Sequence, residues 1–103
     1  MIYVIADDLT GANDTGVQFT KKGYSTIVSV LDEHSTIIIP DNLDVFVMDI
    51  ETRELESKTA RKRLKSILEK ININKKDVVY KKVDSTLRGN IVSILLEIIF
   101  NYF

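Results

Sequence analysis

The chain has 103 residues, of which 14 are basic and 15 are acidic, and 45% of its residues are hydrophobic. This length supports one small domain, and the balanced charge argues against a broad nucleic-acid-binding face. Cysteine is absent and His34 is the single histidine, which excludes disulfides, thiolate metal sites and multi-histidine metal sites. We therefore expect one globular domain, 1–103, with no metal site of its own and no nucleic-acid partner.

Neither the N-terminus nor the apolar segments predict targeting to a membrane. Apolar residues follow Met1 directly and lead into Asp7 and Asp8, without the basic region that opens a signal peptide. The longest near-continuous apolar stretch, residues 91–103, has 13 residues, whereas a membrane-spanning helix needs about 20. We expect a cytoplasmic protein with no membrane partner.

Short apolar runs alternate with helical patterns along the chain, which is typical of α/β proteins. The predicted elements, in chain order, are a strand over 2–6, a helix over 11–22 that ends at Gly23, strands over 26–31, 36–39 and 45–49, a helix over 57–71, a strand over 78–82 and a helical stretch over 88–103. The fold class is therefore a doubly wound, mainly parallel sheet of about five strands with flanking helices, a Rossmann-like three-layer arrangement.

Three polar clusters each follow a predicted strand directly. They are Asp7, Asp8 and Thr10; then Asp49, Glu51, Thr52 and Arg53; and then Asp84, Ser85, Thr86, Arg88, Gly89 and Asn90. Ligands of open α/β sheets bind just beyond the carboxyl ends of the strands, so parallel neighbours would bring the clusters into one crevice. Arginine suits carboxylate or phosphate, aspartate accepts hydrogen bonds from hydroxyls, and the helix starts at Gly11 and Gly89 favour an anion. The clusters predict a site for an anionic, polyhydroxylated small molecule.

Other interpretations of these clusters stay open at this point. Turn or capping chemistry explains any one cluster alone, because Asp and Thr are common at helix starts. The sequence has no G-x-G-x-x-G and no Walker A lysine loop. A phospho-accepting receiver domain is an alternative, with Asp49 as its acceptor, but no strand-end lysine follows Ser85. His34 lies in a polar segment and is expected to be solvated.

Three segments resemble the signature motifs of the four-carbon acid sugar kinase family. They are IADDLTGANDTGVQF at 5–19, VMDIETRE at 47–54 and YKKVDSTLRGN at 80–90. In that family an N-terminal α/β domain binds the sugar acid, and a separate C-terminal domain binds ATP with Mg²⁺. The resemblance implies phosphorylation of a four-carbon acid of the threonate, erythronate or 2-dehydrotetronate type.

Carried over residue by residue, the resemblance implies a substrate pocket. The substrate-binding residues are Asp7, Asp8, Thr10, Gly11, Arg53, Asp84, Ser85, Arg88 and Asn90. The chemistry of these residue types agrees: an arginine with a helix N-terminus would hold the carboxylate and the aspartates would orient the hydroxyls. One aspartate, Asp8 in preference to Asp7, would accept the proton of the attacking hydroxyl as the catalytic base. Lys81 and Lys82 are weaker candidates for neutralising phosphate charge, since a strand edge is ordinarily solvated.

The sequence also departs from that family. Its members are considerably longer, so we expect this chain to be a fragment truncated after the third motif, with the nucleotide-binding domain missing, no cofactor of its own and no kinase turnover alone. Ten of the 13 residues in 91–103 are apolar, more than one helix face needs, which predicts a homo-oligomer or a missing-domain contact there. A non-catalytic binding module is the alternative function.

Overall fold

The computed structural model describes residues 1–82, which form four strands and two helices. In chain order these are β1 (Ile2–Ala6), α1 (Leu9–Lys21), β2 (Thr26–Val30), β3 (Val45–Asp49), α2 (Ser57–Leu68) and β4 (Val78–Lys81). The predicted helix over 88–103, and the association predicted through 91–103, lie outside the described residues. Neither described helix is long and apolar enough to cross a membrane.

The four strands form one parallel sheet in the order β2-β3-β1-β4. The strand β1 is central, and its residue Ile2 is in register with Val45 on one side and with Val78 on the other. From β1 the chain crosses to β2 through α1, and from β3 it crosses in the opposite direction to β4 through α2. These crossovers confirm the predicted α/β fold with a parallel sheet.

The sheet separates two apolar layers, because successive side chains of a strand point to opposite faces. On one face, Tyr3, Ile5, Phe46 and Met48 pack with the buried side of α2, which supplies Ala60, Leu64, Ile67 and Leu68. On the other face, Val4, Ala6, Val45 and Val47 pack with Ala12 of α1. The two helices thus cover opposite faces, which gives the three layers expected from the sequence.

The strand predicted over residues 36–39 is wrong. Residues 35–40 form no strand, although Ile37 and Ile39 pack against the α2-side core and Ile38 between them is 82% exposed. The exposure of successive side chains therefore alternates as in a strand, but the segment packs on the core without pairing in the sheet. Pro40, which follows, has no N–H to donate to a neighbouring strand.

The helix α1 ends at Lys21, and Gly23, just after its C-cap residue Lys22, terminates it as the sequence predicts. The Tyr24 N–H donates to the Phe19 carbonyl and the Gly23 N–H to the Thr20 carbonyl, which is the bonding pattern of a Schellman motif. Gly23 has a φ of 91°, a left-handed conformation that favours glycine. The rings of Phe19 and Tyr24 lie edge to face, 6.1 Å apart, and supply the apolar contact that accompanies this motif.

The strand order excludes the receiver alternative. In the flavodoxin-like order shared by receivers, β1 lies between β2 and β3. Here β3 lies between β1 and β2. Asp49, the residue proposed as phospho-acceptor in that alternative, is also fully buried, whereas a phospho-acceptor has to be reached by a phosphodonor.

Candidate functional site

The carboxyl ends of β1, β3 and β4 meet at one edge of the sheet, where the first two polar clusters are brought together. In the register, Ala6 of β1 lies beside Asp49 of β3, and Ile5 lies beside Lys81 of β4. The chain leaves β1 and β3 toward opposite faces of the sheet and crosses it in opposite directions. Such a topological switch point is where ligands bind in open α/β sheets.

Backbone hydrogen bonds continue beyond the strand ends and fix the loop after β3 against β1. The Ile50 N–H donates to the Ala6 carbonyl at 3.0 Å, and the Thr52 N–H donates to the Asp7 carbonyl at 3.2 Å. Thr52 is fully buried. These bonds place Arg53, the next residue, beside the two aspartates that follow β1.

Arg53 bridges the two aspartates. Its Nη1 lies 2.9 Å from Asp8 Oδ2 and its Nη2 lies 3.3 Å from Asp7 Oδ1. The side chains of Asp7 and Arg53 are 7% and 21% exposed, so the bridge is partly shielded from water and is stronger than a surface ion pair. The planar guanidinium therefore holds the two carboxylates at fixed positions, and it joins site residues that were predicted from two separate motifs.

Asp8 is also the N-cap of α1. Its Oδ1 accepts a hydrogen bond from the Gly11 N–H at 2.9 Å, while its Oδ2 faces Arg53. The helix begins at Leu9, two residues before the predicted start, so the Gly11 N–H serves the cap instead of pointing at a ligand. A Cβ at position 11 would lie 2.9 Å from Asp8 Oδ1, so glycine is needed there for the cap to form.

The sequence analysis placed Asp49 in the second polar cluster but not among the substrate-binding residues, and the structure places it at the same edge of the sheet. Asp49 is fully buried; its Oδ1 accepts from the Glu51 N–H at 3.0 Å, and its Oδ2 has no hydrogen-bond partner in the part of the chain that the structure describes. Burial raises the pKa of the Asp49 carboxyl from 3.8 to about 7, and the carboxylates of Glu51 and Asp8 act in the same direction. Near neutral pH, therefore, both the ionised and the neutral form of the Asp49 carboxyl are populated.

The loop after β3 is held in a strained conformation by α2. Glu51 has a φ of 48°, in the left-handed region that non-glycine residues rarely adopt. Arg63 of α2 donates from Nη1 to the carbonyls of Ile50 and Glu51, at 3.2 and 3.1 Å, and from Nε to Glu33 at 2.7 Å. Strain of this kind persists where surrounding contacts over-determine it, and Arg63 provides those contacts here.

Two lysines complete the edge of the sheet. Lys81 ends β4, and the Lys82 N–H extends the pairing by donating to the Ile5 carbonyl at 2.8 Å. Burial lowers the pKa of the Lys81 ammonium; Asp7 opposes that shift and Arg53 adds to it. Lys81 is the register partner of Ile5, so its place at this edge follows from the strand pairing and not from a signal in the sequence.

The remaining predicted residues fall into two groups. Thr10 lies on the exposed first turn of α1, and His34 is exposed in a polar loop, as expected. Asp84, Ser85, Arg88 and Asn90, together with the rest of the third cluster, lie outside the described residues. Within residues 1–82, no group of three His, Cys, Asp or Glu side chains could hold a metal ion.

The fold and the edge residues define an α/β ligand-binding domain whose polar groups suit a small hydroxylated anion. The sequence matches the family described as "Sugar-binding N-terminal domain" over residues 2–99. The chain therefore belongs to this family, and its resemblance to four-carbon acid sugar kinases is confirmed.

Similar proteins carry kinase names. The chain is 40% identical over 91 residues to D-threonate kinase of Salmonella typhimurium, covering 87% of this chain and 21% of that protein. It is 34% identical over 90 residues to D-erythronate kinase of Heliobacterium modesticaldum, covering 87% and 20%. It is 36% identical over 90 residues to D-threonate kinase of Bordetella bronchiseptica, covering 85% and 22%. The chain thus spans about a fifth of the length of these relatives, and no solved structure matches it at comparable significance.

Proposed function

We propose that this chain is the sugar-acid-binding part of a kinase that phosphorylates four-carbon sugar acids of the threonate or erythronate type. The observation that carries the proposal is the Arg53 bridge between Asp7 and Asp8 at the switch point of the sheet. It lies within the region shared with kinases named for D-threonate and D-erythronate. In the proposal the aspartates accept hydrogen bonds from ligand hydroxyls, and Asp84, Ser85, Arg88 and Asn90 complete the pocket.

The phosphoryl donor is proposed to bind to the part of the relatives that this chain does not span. Two observations support this: the sequence has no Walker A lysine loop and no G-x-G-x-x-G, and Asp7 and Asp8 are already engaged by Arg53. The contribution of this chain is then to bind and orient the sugar acid. Orientation is a large part of catalysis in phosphoryl transfer, which depends on alignment and charge stabilisation.

Asp8 remains the proposed acceptor of the hydroxyl proton, and its existing contacts limit how a ligand hydroxyl can approach it. Both of its oxygens are occupied, one by the helix cap and one by Arg53. A carboxylate oxygen has two lone pairs, so a ligand hydroxyl has to share an oxygen with one of these donors. The same contacts orient the carboxylate before the ligand arrives.

A thermal-shift titration of the purified chain with D-threonate and D-erythronate tests the proposal, with ATP and unrelated sugars as controls. A ligand at about 100 times its dissociation constant stabilises the fold by roughly 2.7 kcal/mol. Stabilisation by a four-carbon acid and not by ATP supports the proposal. A cooperative melt that no four-carbon acid shifts argues against it.

The variant Arg53→Lys makes the test specific to the bridge. Lysine keeps the charge but cannot contact both aspartates in the same planar geometry. Losing one charge-assisted hydrogen bond weakens binding by about 10- to 100-fold. Arg61→Lys on the exposed side of α2 is the matched control and should leave affinity unchanged; equal affinities of the Arg53→Lys variant and the wild type would contradict the role of Arg53.

The second candidate is a binding module without catalysis. The wild-type chain would bind the acid in either case, so binding alone does not separate the two. Joining this chain to the remaining portion of D-threonate kinase does separate them. Phosphorylation of D-threonate by that chimaera, measured as ADP release, supports the kinase, and unchanged binding without turnover supports the module.

A further inference from the structure

Lys81 stands out because of where its strand ends. It lies beside Ile5 in the register of β4 with β1, and register partners point to the same face of a sheet. Ile5 belongs to the core on the α2 side, and Asp7 follows it by two residues, a spacing that returns to that face. Lys81 therefore lies on the same side of the sheet as Asp7, whose carboxylate contacts Arg53.

The partly buried ammonium group of Lys81 makes one hydrogen bond and no ion pair with the described residues. The Lys81 residue is partly buried, and its Nζ donates to the Lys82 carbonyl at 2.8 Å. Within residues 1–82 no carboxylate lies within 4.0 Å of this nitrogen, since it forms none of the observed ion pairs. An ammonium has three donors, and holding its charge away from water without a counter-ion is unfavourable. Lys81 is thus poised for an anion.

Arg53 differs from Lys81 in this respect. Its two terminal nitrogens already face Asp7 and Asp8, so an incoming carboxylate would have to compete with two anions that are fixed in place. A carboxylate beside Lys81 would instead find a cation that forms no direct ion pair with any described carboxylate. The sequence suggested that an arginine holds the substrate carboxylate. The contacts of Arg53 favour a different role for it, which is to orient Asp7 and Asp8.

We propose that Lys81 binds the carboxylate of the sugar acid, and that the Asp7–Arg53–Asp8 bridge faces its hydroxyls. This assignment rests on the proposed function and adds the direction in which the ligand lies: the carboxylate is at the end of β4, and the carbon chain runs toward the end of β1. Hydroxyls donate to aspartate oxygens that Arg53 orients, and the charge of the ligand is balanced by Lys81.

The test compares D-threonate with its neutral amide by titration calorimetry on the wild type, Lys81→Gln and Lys81→Arg. The wild type should bind the acid about 10- to 100-fold more tightly than the amide, the range expected for one charge-assisted hydrogen bond. Lys81→Gln should remove most of this preference, and Lys81→Arg, which retains the charge, should keep it. Lys76→Gln, an exposed lysine before β4, removes the same charge and should change nothing.

Several results would overturn the assignment while leaving the proposed function intact. A preference for the acid that survives in Lys81→Gln means that another group binds the carboxylate. An equal loss of acid and amide binding means that Lys81 supports the site only structurally. Loss of the preference in Lys76→Gln means that the net charge of the domain produces it.

A second measurement covers the case in which the wild type binds neither D-threonate nor D-erythronate, which would count against the proposed function. The ¹³Cε resonance of Lys81 is followed during a titration with acetate as a minimal carboxylate. A saturable shift at Lys81, and none at Lys76, keeps the assignment of an anion site. No shift at Lys81 rejects it.

Discussion

Replacing Asp49 by asparagine should stabilise the domain above neutral pH, although the residue is fully buried at the end of β3. Asparagine is nearly isosteric, and its Oδ1 can keep the hydrogen bond that Asp49 accepts from the Glu51 N–H. The second oxygen, which has no hydrogen-bond partner among the described residues, becomes an NH₂ group. The carboxylates of Glu51 and Asp8 that disfavour a charge on Asp49 would attract this group.

The magnitude follows from the pKa of Asp49. One pKa unit corresponds to about 1.36 kcal/mol, so a pKa raised from 3.8 to about 7 corresponds to at most about 4 kcal/mol. An incompletely bonded amide offsets part of this, so we expect a gain of about 1–3 kcal/mol at high pH. The folded state binds the proton more tightly, and the stability it confers is fully present below pH 3.8 and is lost as the pH rises through about 7.

Urea unfolding of the wild type and the Asp49→Asn variant, followed by circular dichroism across this pH range, measures the difference. The variant should gain relative to the wild type as the pH rises from about 4 to about 8.5. Glu54→Gln, an exposed carboxyl in the same loop, controls for the change in net charge. A variant that is less stable than the wild type at about pH 8.5, or a difference that does not depend on pH, would refute the reasoning.

Two further predictions concern packing and the loop after β3. Gly16→Ala places a Cβ 2.9 Å from Val28 Cγ2, and we expect a net loss of about 1 kcal/mol in thermal unfolding, because overpacking outweighs the gain in helix propensity; an equal or higher melting temperature would contradict this. Arg63→Ala removes the donors to the Ile50 and Glu51 carbonyls and should cost about 2 kcal/mol, with faster hydrogen exchange at the Thr52 amide. Lys70→Ala, which loses bonds to the Glu33 and Ser35 carbonyls instead, should leave that exchange unchanged, and parallel changes in both variants would show that Arg63 has no specific effect on the loop.

The elements that the sequence predicted well are those whose local signals agree with their packing. The strand over 45–49 begins with four apolar residues in a row and is buried on both faces. The helix from Ser57 shows one apolar side, and α1 ends at a glycine with the required backbone conformation. The error at 36–39 arose because a short run of β-branched residues favours a strand but does not show whether a neighbouring strand is available to pair with it.

The candidate site was predictable in part for a similar reason. Asp7, Asp8 and Arg53 follow strands directly, and the parallel order brings strand ends together. The contacts could not be foreseen, because the Arg53 bridge and the free oxygen of Asp49 depend on the order of the strands and on a loop bend at Glu51. The place of Lys81 in the site could not be foreseen either, because it depends on the register of β4 with β1, which spacing along the chain does not reveal.

The central position of β1 has a consequence for how the domain forms during synthesis. Of the four described strands, β1 leaves the ribosome before the others, and it is paired on both sides by strands made later, β3 and then β4. Until those strands emerge, the apolar residues of β1 have no sheet partner, and Asp7 and Asp8 have no arginine to hold them. The site is therefore among the last features of this region to be completed, and a ligand that binds there would select chains that have finished pairing their first strand.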